Sequence, residues 1–342
     1  MISPKELLIR FDANNQIGVG HAVRCIEIAK YIKENSKLKV IVCTSRSNLM
    51  LQELSDAKVT DNILFDNHTT EEEFIEFISS VYPNSILMID KLYNYSRNFI
   101  KGISTKVKVI MFHNDCEGML DSHTVIFPIA HLSTELKKKI INVNPLNFYE
   151  GFEYVVINEH VKKYPSHQIL NNPYMVVTTG GSDPKNMIFT ITQWLEKCDI
   201  DVNVIILCGA YYKKKENLVH YIQNMSSKVK ISVKPFNYGC LFGAELAISA
   251  FGVTPYELIF RHIPVITFGH TVKAAKGSDA LEKKTGANIS LGMFDKINQK
   301  DFCQCVEKAW EERNLKNDYI RKKEYIDGNG IERIANIIFN IN

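Results

Sequence analysis

The stretch LLIRFDANNQIGVGHAVRCIEIA, residues 7–29, decides how the chain is read. Its apolar opening, LLIRF at 7–11, has the length and side chains of a buried strand. After a polar link, IGVGHAVRCIEIA at 17–29 places two glycines just ahead of His21, where an amphipathic helix over 21–34 begins. Glycine permits sharp bending and close approach, and the free N–H groups at a helix start favour anions. The stretch therefore reads either as a plain strand–turn–helix with a surface histidine, or as a loop that holds a phosphate and sets His21 beside a substrate.

Working outward, short apolar runs alternate with longer amphipathic segments, which is the pattern of α/β layering. Strands are expected at 7–11, 39–43, 85–90, 108–112 and 124–128, with a weaker one in 57–66. Helices are expected at 21–34, 70–81 and 132–140. NVNPLNFYEG at 142–151 breaks the rhythm with turn-forming residues. The pattern restarts with PYMVVTTGGSDPKN (173–186), a strand, glycine turn and helix start. Strands at 202–209, 229–236, 246–250, 264–269 and 287–292 follow, with helices at 186–197, 215–224, 254–262, 272–285 and 299–313. The tail, 316–340, is helical in period but broken by DGNG at 327–330.

The chain has 342 residues, enough for two domains. The expected division is an N-terminal Rossmann-like domain over 1–150, a boundary segment over 151–172, a C-terminal domain over 173–315, and a helical segment over 316–342. Net charge is only +3, and the Lys clusters at 136–140 and 213–215 and the basic 316–323 are scattered. No basic–aromatic module appears, so no nucleic-acid partner is expected. With early charges at Lys5, Glu6 and Arg10 no signal peptide is expected, and without a long apolar run no transmembrane segment is expected. A cytoplasmic location is expected, with eight reduced cysteines. Cys303 and Cys305 point apart on their helix, which suits neither a metal clamp nor a mutual disulfide.

Three turns carry the candidate chemistry. GVGH at 18–21 lacks both the dinucleotide and the P-loop spacing. Around it, Asp12 either caps the turn or orients a substrate hydroxyl. Arg24 shares a helix face with His21, suiting an anion site or a surface ion pair. In TTGGSDPKN (178–186), Gly180 and Gly181 allow bending, Ser182 and Asp183 cap, and Pro184 opens a helix. The same N–H groups could cradle a phosphate. In the third turn, Gly252 precedes the Thr254–Pro255 helix start. Glu257, one turn on, suits paired ribose hydroxyls or the helix dipole alone. An i,i+4 pair between Glu257 and Arg261 is also open. His270 follows the next strand, at an edge typical of ligand loops, and His262 reads as a helix-end residue.

These motifs together resemble a bacterial family: the UDP-2,4-diacetamido-2,4,6-trideoxy-sugar hydrolases of pseudaminic acid biosynthesis, with their spore-coat-polysaccharide relatives. More distantly the chain is similar to two-domain nucleotide-sugar glycosyltransferases, including the transferase that makes lipid II. The carrying residues are FDANNQIGVGHAVRCIEIA (11–29), YEGFEYVVIN (149–158), TTGGSDPKN (178–186) and AFGVTPYELIFRHIPVITF (250–268). The resemblance implies two Rossmann-like α/β domains facing a central cleft, as in the GT-B fold. It implies His21 as catalytic base, with no required metal; Asp12 or Asp90 would help to orient water or sugar, and no cofactor is expected. Gly20, Arg24, Tyr93 and His270 become substrate-binding candidates. Gly180, Gly181, Ser182, Gly252, Thr254 and Glu257 become nucleotide-binding candidates, for UDP or in second place CDP. The chain departs from the family at IDKLYNY (89–95), where Lys91 replaces a histidine and Tyr93 is displaced by one position. It departs again at AFGVTPYE, where Val253 interrupts a glycine-rich turn, and at Gly269–His270.

The leading expectation is hydrolysis of a UDP-linked amino or deoxy sugar in surface nonulosonate or polysaccharide biosynthesis. With an acceptor hydroxyl in place of water, the same residues make a glycosyltransferase, and a lipid acceptor would bring peripheral membrane contact. A sugar-nucleotide-binding protein without chemistry is the reading from a different class.

Overall fold

The structure, a computed structural model, describes residues 5–13, 20–66, 68–129, 131–144, 147–165, 172–181, 183 and 185–341. The chain packs as two units: Met1–Glu159 with Gly328–Asn342, and His160–Asp327.

The first unit is built on seven parallel strands. They are β1 (Glu6–Phe11), β2 (Lys39–Ser45), β3 (Asn62–Phe65), β4 (Ile86–Asp90), β5 (Lys108–Phe112), β6 (Thr124–Phe127) and β7 (Phe148–Glu150). Their order across the sheet is β3-β2-β1-β4-β5-β6-β7. The strand order therefore reverses at the β1–β4 pair, where Phe11 lies opposite Asp90. β1 is buried on both faces, with Leu7, Leu8, Ile9 and Phe11 inaccessible, as a central parallel strand requires. The first helix, Gly20–Asn35, turns Ala22, Cys25, Ile26, Ala29 and Ile32 inward, the three- and four-residue spacing of one buried face. The helix Glu71–Val81 is started by a capping box between Thr70 and Glu73.

The second unit repeats the plan with β8 (Tyr174–Thr178), β9 (Asn203–Cys208), β10 (Lys230–Pro235), β11 (Leu246–Ala250), β12 (Val265–Gly269) and β13 (Asn288–Met293). The order is β10-β9-β8-β11-β12-β13, again parallel, and it reverses at β8–β11. Each unit has its own apolar core. Ile331, Ile334, Ala335 and Ile338 of the final helix, Gly330–Phe339, belong to the first.

The structure differs from the sequence expectations at several elements. NFYEG is not all turn, because Phe148–Glu150 adds an edge strand against β6. The weak strand within 57–66 shrinks to Asn62–Phe65. Helices Asn48–Asp56 and Arg97–Ile103, started by Ser47 and Ser96, were not anticipated. The segment 151–172 is divided, since residues to Glu159 pack with the first unit and His160 opens the second. The 316–342 tail is divided too: the helix Arg313–Lys323 stays with the second unit, and the break at Gly328, in the left-handed region, releases the last helix to the first.

Candidate active site

Ligands of open parallel sheets gather outside the carboxyl ends of the strands where the order reverses. In the first unit that place is held by Asp90, the last residue of β4, which is fully buried. Its Oδ1 lies 2.9 Å from His21 Nδ1. Arg24 grips both carboxylate oxygens, with Nε 2.5 Å from Oδ2 and Nη2 2.6 Å from Oδ1, and the Cys25 thiol donates to Oδ2 at 3.2 Å. Burial alone would push the Asp90 carboxyl up. The Arg24 charge, the His21 ring and the bonds from both outweigh it and hold Asp90 well below the usual carboxylate range. Asp90 is thus an ionised, fully buried partner of His21 and Arg24.

Arg24 Nη2 also lies 2.8 Å from His21 Nδ1 and 2.8 Å from His113 Nδ1. The described bonds of the guanidinium thus tie Asp90 to both imidazoles. Sequence reasoning missed His113. It follows β5 directly, with φ of 52° in the left-handed region, and its ring packs on Phe127. A signal was available: His113 stands at the carboxyl end of a parallel strand, the placement that singled out His270. His21, Asp90 and His113 bring three metal-capable atoms within 4.8 Å of one another, but Arg24 already places a cation among them.

Asp12 serves a neighbouring network. Its oxygens accept from Arg10 (2.5 and 2.8 Å), Lys91 (2.6 Å), and the Ser45 backbone and hydroxyl (2.9 and 2.7 Å). Arg10, fully buried within β1, also pairs with Glu71, and Lys91 Nζ bridges Asp12 and Glu71 at 2.6 and 2.5 Å. Burial opposes both carboxylates, yet Arg10 and Lys91 hold Asp12 and Glu71 below their ordinary values. Two cations and two carboxylates compensate one another, as buried charge requires. Asp12 is thereby bound into the framework between Arg10, Lys91 and Ser45. Lys91 completes this network.

Gly20 begins the first helix, while Gly18 and the rest of 14–19 lie outside the described residues. Tyr93 is a surface residue whose ring leans on Tyr95 and whose carbonyl accepts from Asn114. Among the described residues it makes no bond to Asp90 or His21, so its place in the site rests on the resemblance alone.

In the second unit, Gly180 follows β8 with φ of 83°, which a side chain would strain. The Gly180–Gly181 carbonyls lean onto Gly209, where a Cβ would lie 2.1 Å from Gly180 O. Ser182 and Pro184 lie outside the described residues. Asp183 accepts from Met187 N (2.9 Å) and Ile188 N (2.8 Å). Those two N–H groups at the helix start are therefore taken by a side chain, which narrows the anion cradle expected there to the glycine backbone. Burial raises the Asp183 carboxyl. His270 sits within electrostatic reach of Asp183, and burial and Lys185 lower its imidazole.

Gly252 is exposed, with open space around its Cα, and Thr254 begins the helix Thr254–Phe260. Glu257 is buried, and its carboxyl is pushed up to about 7 by desolvation, only partly offset by a hydrogen bond with Tyr238. The expected Glu257–Arg261 pair does not form. Arg261 donates instead to the carbonyls of Tyr164 and Pro165 and lies over Phe242. His262 ends the helix in the left-handed region, its carbonyl bonded by Asn317. All eight cysteines are free, although Cys198 and Cys303 approach to 3.0 Å between sulfurs.

No protein-family profile matches the chain. MJ1062 of Methanocaldococcus jannaschii, described as uncharacterized, is 21% identical over 271 residues, 76% of this chain. The chain spans only 55% of that protein's length. The spore coat polysaccharide biosynthesis protein SpsG of Bacillus subtilis is 20% identical over 340 residues, 96% of each chain. Among solved structures, MurG of Acinetobacter baumannii matches with a TM-score of 0.68 at 12% identity, over 99% of this chain and 100% of that one. The UDP-GlcNAc 2-epimerase of Neisseria meningitidis, bound to UDP-GlcNAc, matches at 0.61 and 10% identity, over 98% and 100%. Likeness at this level establishes the fold: two parallel-sheet α/β domains of the GT-B type.

Proposed function

We propose that the chain is an enzyme acting on a UDP-linked sugar, and that it transfers the glycosyl group to a hydroxyl acceptor. The observation that carries the reading is the Asp90–His21 pair at the strand-order reversal of the first sheet. An ionised carboxylate on Nδ1 leaves Nε2 as the nitrogen that takes a proton. His21 removes the acceptor's proton as its oxygen attacks the anomeric carbon. The bond from that carbon to the diphosphate oxygen breaks, and UDP departs with the electron pair.

The second unit supplies the nucleotide contacts in this reading. Glu257 receives the ribose hydroxyls, and the backbone at Gly180, Gly181, Ser182, Gly252 and the Thr254 helix start meets the diphosphate. Support comes from fold relatives whose structures hold UDP or UDP-GlcNAc, among them MnaA of S. aureus with UDP. The likeness to the glycotransferase of kitacinnamycin, at a TM-score of 0.61, and to SpsG, named for spore coat polysaccharide biosynthesis, supports glycosyl transfer over the pseudaminic hydrolase activity. Hydrolysis stands as the second reading, on the joint occurrence of GVGHAVR and GGSDPKN in this order.

The test is incubation with a panel of UDP- and CDP-sugars, with and without alcohol acceptors, following released nucleotide. Release that requires an acceptor supports transfer, and release in water alone supports hydrolysis. No release and no binding across the panel would reject both.

A further inference from the structure

One residue beyond Asp90 the chain is tied down in two directions. Lys91 Nζ donates to Asp12 Oδ2 at 2.6 Å and to Glu71 Oε2 at 2.5 Å. Its side chain thus joins the end of β4 to the end of β1 and to the helix Glu71–Val81. The Lys91 carbonyl accepts from Asn114 Nδ2 at 2.6 Å, and the same nitrogen donates to the Tyr93 carbonyl at 2.9 Å. Asn114 is itself buried, stands next after His113, and accepts from Cys116 N at 3.0 Å. It therefore ties the loop after β5 to the loop after β4. Of these residues, Lys91 alone holds one loop with its side chain and another with its backbone.

Lys91 also balances charge. Arg10 donates to both carboxylates, the Tyr95 hydroxyl donates to Glu71 and Ser45 donates to Asp12. Without Lys91, two adjacent carboxylates would share the single guanidinium of Arg10, and like charges at close range disfavour ionising both. We propose that Lys91 is a positioning residue for the Asp90–His21 pair: its ammonium and carbonyl fix the end of β4, and Asp90 with it, against β1, the helix Glu71–Val81 and the loop after β5. The part concerning turnover rests on the reading of His21 as base; the geometric part does not.

The test compares Lys91→Met, Lys91→Arg and Lys91→Met/Glu71→Gln in the full chain. Lys91→Met keeps most of the apolar stem and leaves one carboxylate in excess. The double variant removes one charge of each sign, so it restores balance without restoring the tie. Lacking Lys91, the Asp12–Glu71 pair holds a proton above its unfolded value, and such stability is full at low pH and lost as pH rises. Urea unfolding is therefore expected to show Lys91→Met less stable than wild type, with a larger deficit at pH 8 than at pH 5. The double variant is expected to show a smaller deficit, equal at both pH values. A Lys91→Met deficit independent of pH overturns the proposal, since Lys91 would then act by packing alone. In a crystal structure of the double variant, Asp90 Oδ1 is expected beyond hydrogen-bond reach of His21 Nδ1, and an unmoved pair rejects the proposal.

With the UDP-sugar that the panel identifies, both Met variants are expected to lose at least about tenfold in kcat, with KM within about threefold. Lys91→Arg, which keeps a cationic donor for the two carboxylates, should recover part of that loss, and no recovery counts against the proposal. Turnover that returns together with stability in the double variant makes Lys91 merely structural and overturns it. A raised KM with unchanged kcat also overturns it, by making Lys91 a substrate contact. If the unfolding and crystal results hold while no sugar nucleotide reacts, the functional reading fails and the tie stands.

Discussion

Asp90 Oδ1 lies 2.9 Å from His21 Nδ1, which ties the end of β4 to the first turn of the helix that follows β1. The two residues are 69 positions apart in the chain and meet because β1 and β4 are neighbours in the sheet. In the proposed reading this contact orients His21 as the base.

His21→Asn tests that role directly. The variant is expected to bind nucleotide nearly as wild type does and to lose at least about 100-fold in turnover, the lower scale for general-base catalysis. Steady-state release of UDP beside a binding titration checks it. Turnover near wild type would remove His21 from the chemistry.

A second prediction follows from the buried carboxylates. Asp90, Asp12 and Glu71 all titrate below their ordinary values in the folded protein, despite burial, because Arg24, Arg10 and Lys91 face them. Depressed folded values mean stability that is present above the unfolded values of about 4 and is lost as pH falls through the folded ones. Urea unfolding should therefore show stability dropping steeply below about pH 4. Asp90→Asn, which takes the buried carboxylate from the part-buried Arg24, should lower stability at pH 7 by about 3 kcal/mol and flatten part of the acid loss. Equal acid sensitivity in both proteins would contradict this account.

Much of this was legible in advance, for physical reasons. Strands β1, β2, β4, β5 and β6 are continuous apolar runs, and a parallel strand buried on both faces needs that composition. His21 and Glu257 stood out because each follows a glycine turn at a helix start. The Asp90–His21 bond was not legible, because strand order is a property of the whole sheet. Arg10 was hidden for a different reason. In LLIRF it occupies an inward position, and only Glu71, 61 residues away, and Asp12 make its burial tolerable. Helix Asn48–Asp56 has only nine residues and a modest apolar face, so its period was weak. His113 was passed over because no glycine turn announced it.

Glu257 gives a prediction of opposite sign. Burial pushes its carboxyl up to about 7. A raised folded value means stability that is full below the unfolded value of about 4.5 and falls as pH rises towards 7. Glu257→Gln should thus be more stable than wild type at pH 8, by on the order of 3 kcal/mol at most, and show little of that difference at pH 4. Thermal melts at both pH values check it. In the same variant UDP affinity should fall. Wild-type affinity should rise from pH 6 to pH 8 as the carboxylate ionises to accept two hydroxyls.

Two glycines of the second unit should respond in contrasting ways. A Cβ on Gly209 would lie 2.1 Å from Gly180 O and 2.4 Å from Gly181 O. Gly209→Ala is therefore expected to push the glycine turn aside, costing about 1–3 kcal/mol and weakening UDP binding. Gly252 has nothing within 4 Å of the same position, so Gly252→Ala should melt as wild type does. A loss of UDP affinity there would report close approach of the ligand to this backbone. Unfolding measurements and calorimetry on both variants check the pair.

The final helix carries a consequence for how this chain comes into being on the ribosome. Ile331, Ile334, Ala335 and Ile338 complete the same core as Leu7, Ile9 and Ile26, yet they are translated after the whole of the second unit. The earlier-born unit waits for its last apolar face, while His160–Asp327 can close its own core first. Birth order and order of completion are therefore reversed between the two halves. During that interval the surface against the first helix stays uncovered, which marks it as the stretch a nascent-chain chaperone would meet.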